Sequence, residues 1–198
     1  MSLQTSKSQV TLSQNTLGQA IDLVLAENRH VLTHLDEWSM IQLIEALTDA
    51  DRIFVVGEGR SGLVVRMVAM RLMHLGCQVY VVGETTTPAL RPDDLLLALS
   101  GSGSTSMVVL IATQTKAIGG HVMAVTTQPA SPLGQMADVV VTIDAAAKHD
   151  HSQQRSQQFA GSLFEQSVLL LFDAVFHVLS RHWRKRAETL WALHTNLE

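Results

Sequence analysis

Residues 52–62 read RIFVVGEGRSG, an apolar run that stops at Gly57, Gly59 and Gly62 with Arg60 and Ser61 set between the last two glycines. Strand, glycine turn and helix in that order open a parallel α/β unit. The glycines bring backbone close to a ligand, and the helix start offers unpaired N–H groups and a positive dipole end to an anion. The same spacing fits the G-x-G-x-x-G turn of a dinucleotide-binding fold, and Glu84 stands near the ~20-residue offset where a ribose-binding carboxylate belongs. Which phosphate the turn holds is therefore the first question.

Moving outward, four more Val/Ile/Leu-rich runs follow without polar alternation: QVYVVG (78–83), DLLLALS (94–100), HVMAVTT (121–127) and DVVVTID (138–144). Continuous apolar runs are the mark of strands covered on both faces. Helical spacing at 62–75 and 104–117 separates several of them, so the pattern predicts an α/β fold with a doubly wound, five-stranded parallel sheet. Upstream, Leu17, Ile21, Val24, Leu25, Leu32 and Leu35 recur at helical spacing over 15–34, and a second helix is expected over 39–50. Downstream, 144–161 is a long polar connection of the sort that is either functional or disordered, and 162–183 is an amphipathic helix. The chain reads as one domain: a helical arm (1–50), an α/β core (51–183) and a tail (184–198).

Composition narrows the class. Of 198 residues 46% are apolar and 16% charged, against ~25% charged in an ordinary soluble domain, which points to surface covered by further copies of the chain. A net charge of −4 without a Lys/Arg stripe argues against nucleic acid. The polar N-terminus and the lack of ~18 uninterrupted apolar residues argue against export and membrane insertion, so a cytoplasmic protein is expected. The single cysteine, Cys77, forms no internal disulfide and reads as a small buried residue without an obvious cationic neighbour.

The strand-turn-helix unit occurs a second time at LALSGSGST (97–105), where Ser100, Ser102, Ser104 and Thr105 add hydroxyl donors. Two such turns at the carboxyl ends of strands could share one anion, and neutral hydroxyls with Arg60 and Ser61 suit a phosphate monoester. The bland alternative is a flexible turn with Ser104 capping a helix. G-x-x-x-x-G-K-[ST] is absent, which disfavours nucleotide hydrolysis. An NAD enzyme would leave the second turn unused and would lack a second domain for the hydride acceptor.

Candidate acid–base groups are few. Glu165 opens the last long helix, and Ser162 three residues earlier makes an S-x-x-E capping box, so a structural role competes with a catalytic one. His74 falls in register with Arg66 and Met70 on the first helix of the core and also reads as a structural histidine. His194 is a polar residue among apolar ones in the tail. His149 and His151 lack a third metal ligand at usable spacing, and His177 is placed to pair with Asp173 at i, i+4.

VVGEGRSG, AMRLMHLG, YVVGETTTP, SGSGST, GSLFEQ and the terminal HTNLE together resemble the 6-phospho-3-hexuloisomerase family of the sugar isomerase (SIS) domain superfamily, over nearly the whole chain. The chain departs from the family pattern at Ala160, where Met is common before the glycine, and at Leu193, where Arg is common. The resemblance implies interconversion of D-arabino-hex-3-ulose 6-phosphate and D-fructose 6-phosphate in formaldehyde fixation by the ribulose monophosphate pathway. It implies no metal or cofactor, and a homotetramer whose active sites draw on neighbouring subunits. It implies, further, that Gly59, Arg60, Ser61, Ser100, Ser102, Ser104 and Thr105 hold a phosphosugar, and that Glu165 and His74, with His194 as alternative partner, perform the chemistry. A non-catalytic sugar-phosphate sensor would keep both turns and dispense with Glu165.

Overall fold

The computed structural model describes residues 14–148, 150 and 154–197. Strands β1 (Arg52–Gly57), β2 (Gln78–Val81), β3 (Leu95–Leu99), β4 (His121–Thr126) and β5 (Val139–Thr142) form one parallel sheet in the order β2-β1-β3-β4-β5. The unbroken apolar runs have a direct cause. Ile53, Val55, Leu95, Leu97 and Leu99 face one core, while Phe54, Val56, Leu96 and Ala98 face the other.

Helices α1 (Gln14–Thr33), α2 (Glu37–Asp49), α3 (Gly59–His74) and α6 (Ser162–His182) contribute to the core on the first side. There Leu43 and Leu47 of α2, Val65, Val68 and Leu72 of α3, and Phe164, Val168 and Phe172 of α6 close the larger core. Helices α4 (Ser106–Ile118) and α5 (Pro132–Met136) cover the second side with Val108, Ala112 and Leu133. Helix α7 (Ala187–Ala192) lies in the tail and buries none of its residues. The sequence pattern did not anticipate α5 and α7, because neither is long enough to show a period. Helix α6 is long and apolar enough, by length and composition, to cross a membrane. Here its apolar face packs against α1 and α3 and supplies the larger core.

At the N-terminal end of the sheet, Arg52 grips Asp94 through two hydrogen bonds, the Nε–Oδ1 one at 2.9 Å, and the Arg91 N–H donates to the same carboxylate at 2.6 Å. This clamp ties the base of β1 to the segment entering β3. With the strands aligned there, Gly57 pairs with Leu99 at the other end. The chain leaves β1 toward β2 and leaves β3 toward β4, so the crevice between the carboxyl ends of β1 and β3 is the topological switch point where ligands bind in such sheets.

Candidate active site

Both glycine turns open onto that crevice, and both are held rigidly. A Cβ on Gly57 would lie 2.9 Å from the Ser61 carbonyl oxygen, and one on Gly62 would lie 2.8 Å from that of Gly57. The spacing that suggested a dinucleotide is thus accounted for by close packing of α3 on β1. Glu84, the candidate ribose ligand, is instead ion-paired with Arg66. The second turn is no flexible linker. Gly103 has φ +60, a Cβ there would sit 1.8 Å from Ser131 Oγ, and its carbonyl accepts from the Leu133 N–H at 3.0 Å. The Gly101 carbonyl accepts from the hydroxyls of Thr126 and Thr127 at 3.1 and 2.9 Å.

Between the turns lies a cavity of about 280 Å³ bordered by Gly59, Arg60, Ser61, Ser100, Ser102, Thr105 and Glu165. Three helix starts converge on it. The N-caps of α3, α4 and α6 are Glu58, Thr105 and Gly161, and none of them makes a side-chain cap hydrogen bond. By contrast, Asp36 caps α2 through the Ser39 N–H, and Ser131 caps α5 through the Gly134 N–H. The first N–H groups of a helix have no partner within it, so three uncapped starts bordering one cavity are a concentration of donors suited to an anion. Ser100 Oγ and Thr105 Oγ1 lie 3.0 Å apart, and the Ser104 hydroxyl and N–H both donate to Ser102 Oγ, at 3.2 and 3.3 Å. Ser104 therefore orients Ser102 from outside the cavity wall rather than capping a helix.

The capping box does not form. Gly161 is the N-cap, the Ser162 hydroxyl donates to the Phe159 carbonyl at 2.7 Å, and Glu165 is left to face the cavity. Its side chain is 14% exposed and its carboxylate accepts from Arg60 Nε at 3.1 Å, while the Arg60 side chain stays 60% exposed. Glu58, Lys148 and Phe164 also border the cavity and were not singled out in the sequence, and Ala160, noted there only as a departure from the family pattern, borders it too. Lys148 carried a signal, as a cation at the head of the long polar connection. Phe164 carried none as a cavity residue, since besides filling the larger core its ring meets Gly101 only in the folded chain.

Within one protomer His74 and His194 lie elsewhere. His74 ends α3, about 22 Å of helix axis from Gly59 at 1.5 Å per residue. The two imidazoles stack at 5.3 Å, and His194 stacks on Trp191 at 5.6 Å, in a cleft shared with Met70 and Arg71. Burial, then the neighbouring His194 and Arg71, lowers the His74 pKa below the ordinary histidine value. Asp173 pairs with Arg71 at 2.9 Å, where the sequence suggested His177. Cys77 is half-buried; burial pushes its thiol up, and Lys185, a cation the sequence did not reveal, opposes the shift. His149 and His151 lie outside the described residues. Among the described residues, no group of three His, Cys, Asp or Glu side chains is arranged to hold a metal.

A SIS-domain model matches residues 46–173. The 3-hexulose-6-phosphate isomerase of Mycobacterium gastri is 48% identical over 178 residues, covering 90% of this chain and 89% of that protein. The 3-hexulose-6-phosphate isomerase of Bacillus subtilis is 36% identical over 176 residues, covering 88% and 95%. Among solved structures, a Methanococcus jannaschii protein superposes with a TM-score of 0.79 at 31% identity over 91% of this chain and 99% of that one. Its crystal structure infers a molecular function of 3-hexulose-6-phosphate isomerase.

Proposed function

The chain belongs to the SIS-domain family, and from that premise we propose how it acts as an isomerase of D-arabino-hex-3-ulose 6-phosphate and D-fructose 6-phosphate. The observation that carries the reading is the convergence of three uncapped helix starts and the Ser100, Ser102 and Thr105 hydroxyls on one cavity that also holds the Glu165 carboxylate. The phosphate sits on the helix starts and fixes the sugar. Glu165 takes the proton from C2 of the 3-ulose while the C3 carbonyl oxygen gains one, giving a cis-enediol. The C2 hydroxyl then gives up its proton and C3 receives one, leaving the carbonyl at C2. The carbonyl beside each C–H acidifies it, and general acid–base help is worth ~10²–10⁴-fold. Arg60 reaches the carboxylate and borders the cavity, so moving it onto a substrate oxygen would release Glu165 as a base.

His74 or His194 then serves the oxygens from a second copy of the chain. Leu63, Met67 and Met70 form an exposed apolar stripe along α3 between the two regions, and such a stripe is what a neighbouring copy would cover. A homotetramer in the cytoplasm, formed from the single-domain chain with its 1–50 arm, 51–183 core and 184–198 tail, is the assembly that fits, and the ribulose monophosphate pathway is its metabolic place. A non-catalytic sensor has no use for a carboxylate aimed at the bound sugar.

Proton NMR of fructose 6-phosphate with the protein in deuterated water tests the reading. Deuterium is expected at C3 and not at C1. Exchange at C1, or none at either carbon, overturns it.

A further inference from the structure

Helix α1 reaches the active site from behind through a compact polar clasp. One Glu27 carboxylate oxygen accepts from the Ser156 hydroxyl at 2.7 Å and the Gln158 side-chain amide at 2.9 Å, and the other accepts from the Gln157 N–H at 2.7 Å. Ser156 is buried and in turn accepts from the Gln158 N–H at 3.0 Å. The next residue of α1, the buried Asn28, donates to Gln166 Oε1 at 2.7 Å and accepts from the Ser167 hydroxyl at 3.1 Å. Gln166 closes the circuit by donating to Gln158 Oε1 at 2.8 Å. Two adjacent arm residues thus hold both the segment that enters α6 and the turn of α6 next to Glu165.

The held segment continues directly into the cavity wall. Ala160 has φ +54, a strained value for a residue with a Cβ, and persists only where surrounding structure over-determines it. Gly161 follows as the uncapped start of α6, so near Glu165 that a Cβ there would sit 3.5 Å from its Oε1. We propose that Glu27 is a positioning residue for the isomerisation: by gathering three donors from residues 156–158 it fixes the Ala160–Gly161 wall and, through it, the place of the Glu165 carboxylate. Burial pushes the Glu27 carboxyl up, but its three hydrogen bonds outweigh this and hold it below the ordinary carboxylate range, as a gathering anion requires. A carboxylate accepting three donors also makes charge-assisted bonds, roughly twice as strong as neutral ones.

The kinetic arm of the test rests on the isomerase reading; the exchange arm does not. In Glu27→Ala, kcat should fall by about 10- to 100-fold with fructose 6-phosphate affinity held within about threefold, because a ~1 Å misplacement of a reacting group costs turnover on that scale. Glu27→Gln keeps one acceptor oxygen and should recover part of the loss. Amide hydrogen exchange should quicken at Gln157 and Gln158 in Glu27→Ala and stay unchanged in β3. Unaltered exchange at those two amides, or a kcat within about twofold of the parent, overturns the proposal. So does a loss shared equally by kcat and affinity, or faster exchange throughout the sheet, since either would mean a merely structural role. Should Glu27→Ala fail to fold, Ser156→Ala removes one donor and takes its place in both arms. A parent chain without C3 exchange would sink the isomerase reading alone, with the exchange arm still deciding whether the clasp holds the wall.

Discussion

The two ends of α3 face different tasks. At its start, Gly59, Arg60 and Ser61 meet a second pinned turn and the start of α6 around the cavity that Glu165 borders. At its end, His74 and His194 lie in a cleft among Met70, Leu190 and Trp191, with Met70 51% and Trp191 71% exposed. The first region gathers hydroxyls, helix starts and a carboxylate within pinned backbone. The second has a stacked imidazole pair on an apolar surface that solvent does not favour. On the proposed reading, phosphate capture rests on the fold of one chain, while the full set of proton-transfer groups rests on assembly.

The largest test strikes the first region. Glu165→Gln removes the proposed carbon base without changing the cavity's shape, so turnover and C3 deuterium incorporation should fall by ~10²–10⁴-fold with affinity retained. Residual exchange near the parent rate would move the base elsewhere. Next comes His74→Asn, expected to cost about 10²-fold if its imidazole serves the substrate oxygens, at the lower end of general acid–base effects. Refolding inactive Glu165→Gln and His74→Asn chains together sharpens the contrast. Mixed assemblies should regain activity that neither parent has, and a mixture as inactive as its components would confine each site to one chain.

A smaller effect is expected for Ser102→Ala, which deletes one hydroxyl from a cradle with several other donors. A hydrogen bond to a charged group is worth ~1.5–3 kcal/mol, so fructose 6-phosphate should bind roughly 10- to 100-fold more weakly with kcat little changed. Equal affinity would place the phosphate off the second turn. Ser104→Ala should weaken binding less, since Ser104 acts through Ser102.

The sheet was legible in the sequence because five unbroken apolar runs leave no polar face, and strands covered on both sides is the economical explanation. The two glycine turns were legible because glycine and serine at strand ends have few other uses. Arg60, Ser61, Ser100, Ser102 and Thr105 border the cavity as the two motifs suggested. What escaped depends on contacts between distant segments. S-x-x-E marks a capping box locally, yet Arg60 and the turn at Ala160 compete for Glu165 and Ser162. Glu27 carries no motif at all, because its donors lie some 130 residues away and are polar residues of a connection without periodicity. The gap between His74 and Glu165 was equally hidden, since a spacing along a helix becomes a distance only once the other helix is docked.

The least effect concerns the second region alone. Burial, His194 and Arg71 all disfavour the charged form of His74, so its pKa in the folded protein lies below the ~6.5 of an unfolded chain. Above about pH 6.5 both states hold the imidazole neutral, and the group is silent. As pH falls below that value, the unfolded state takes up the proton first, so stability declines, by at most about 1.4 kcal/mol per pH unit for one proton. Denaturant unfolding of the parent and His74→Asn between about pH 7.5 and 5.5 should therefore show the steeper decline in the parent. Equal slopes would mean that the imidazole is not held neutral by its surroundings, and that the cleft at the end of α3 is as open to water and charge as its exposed methionines suggest.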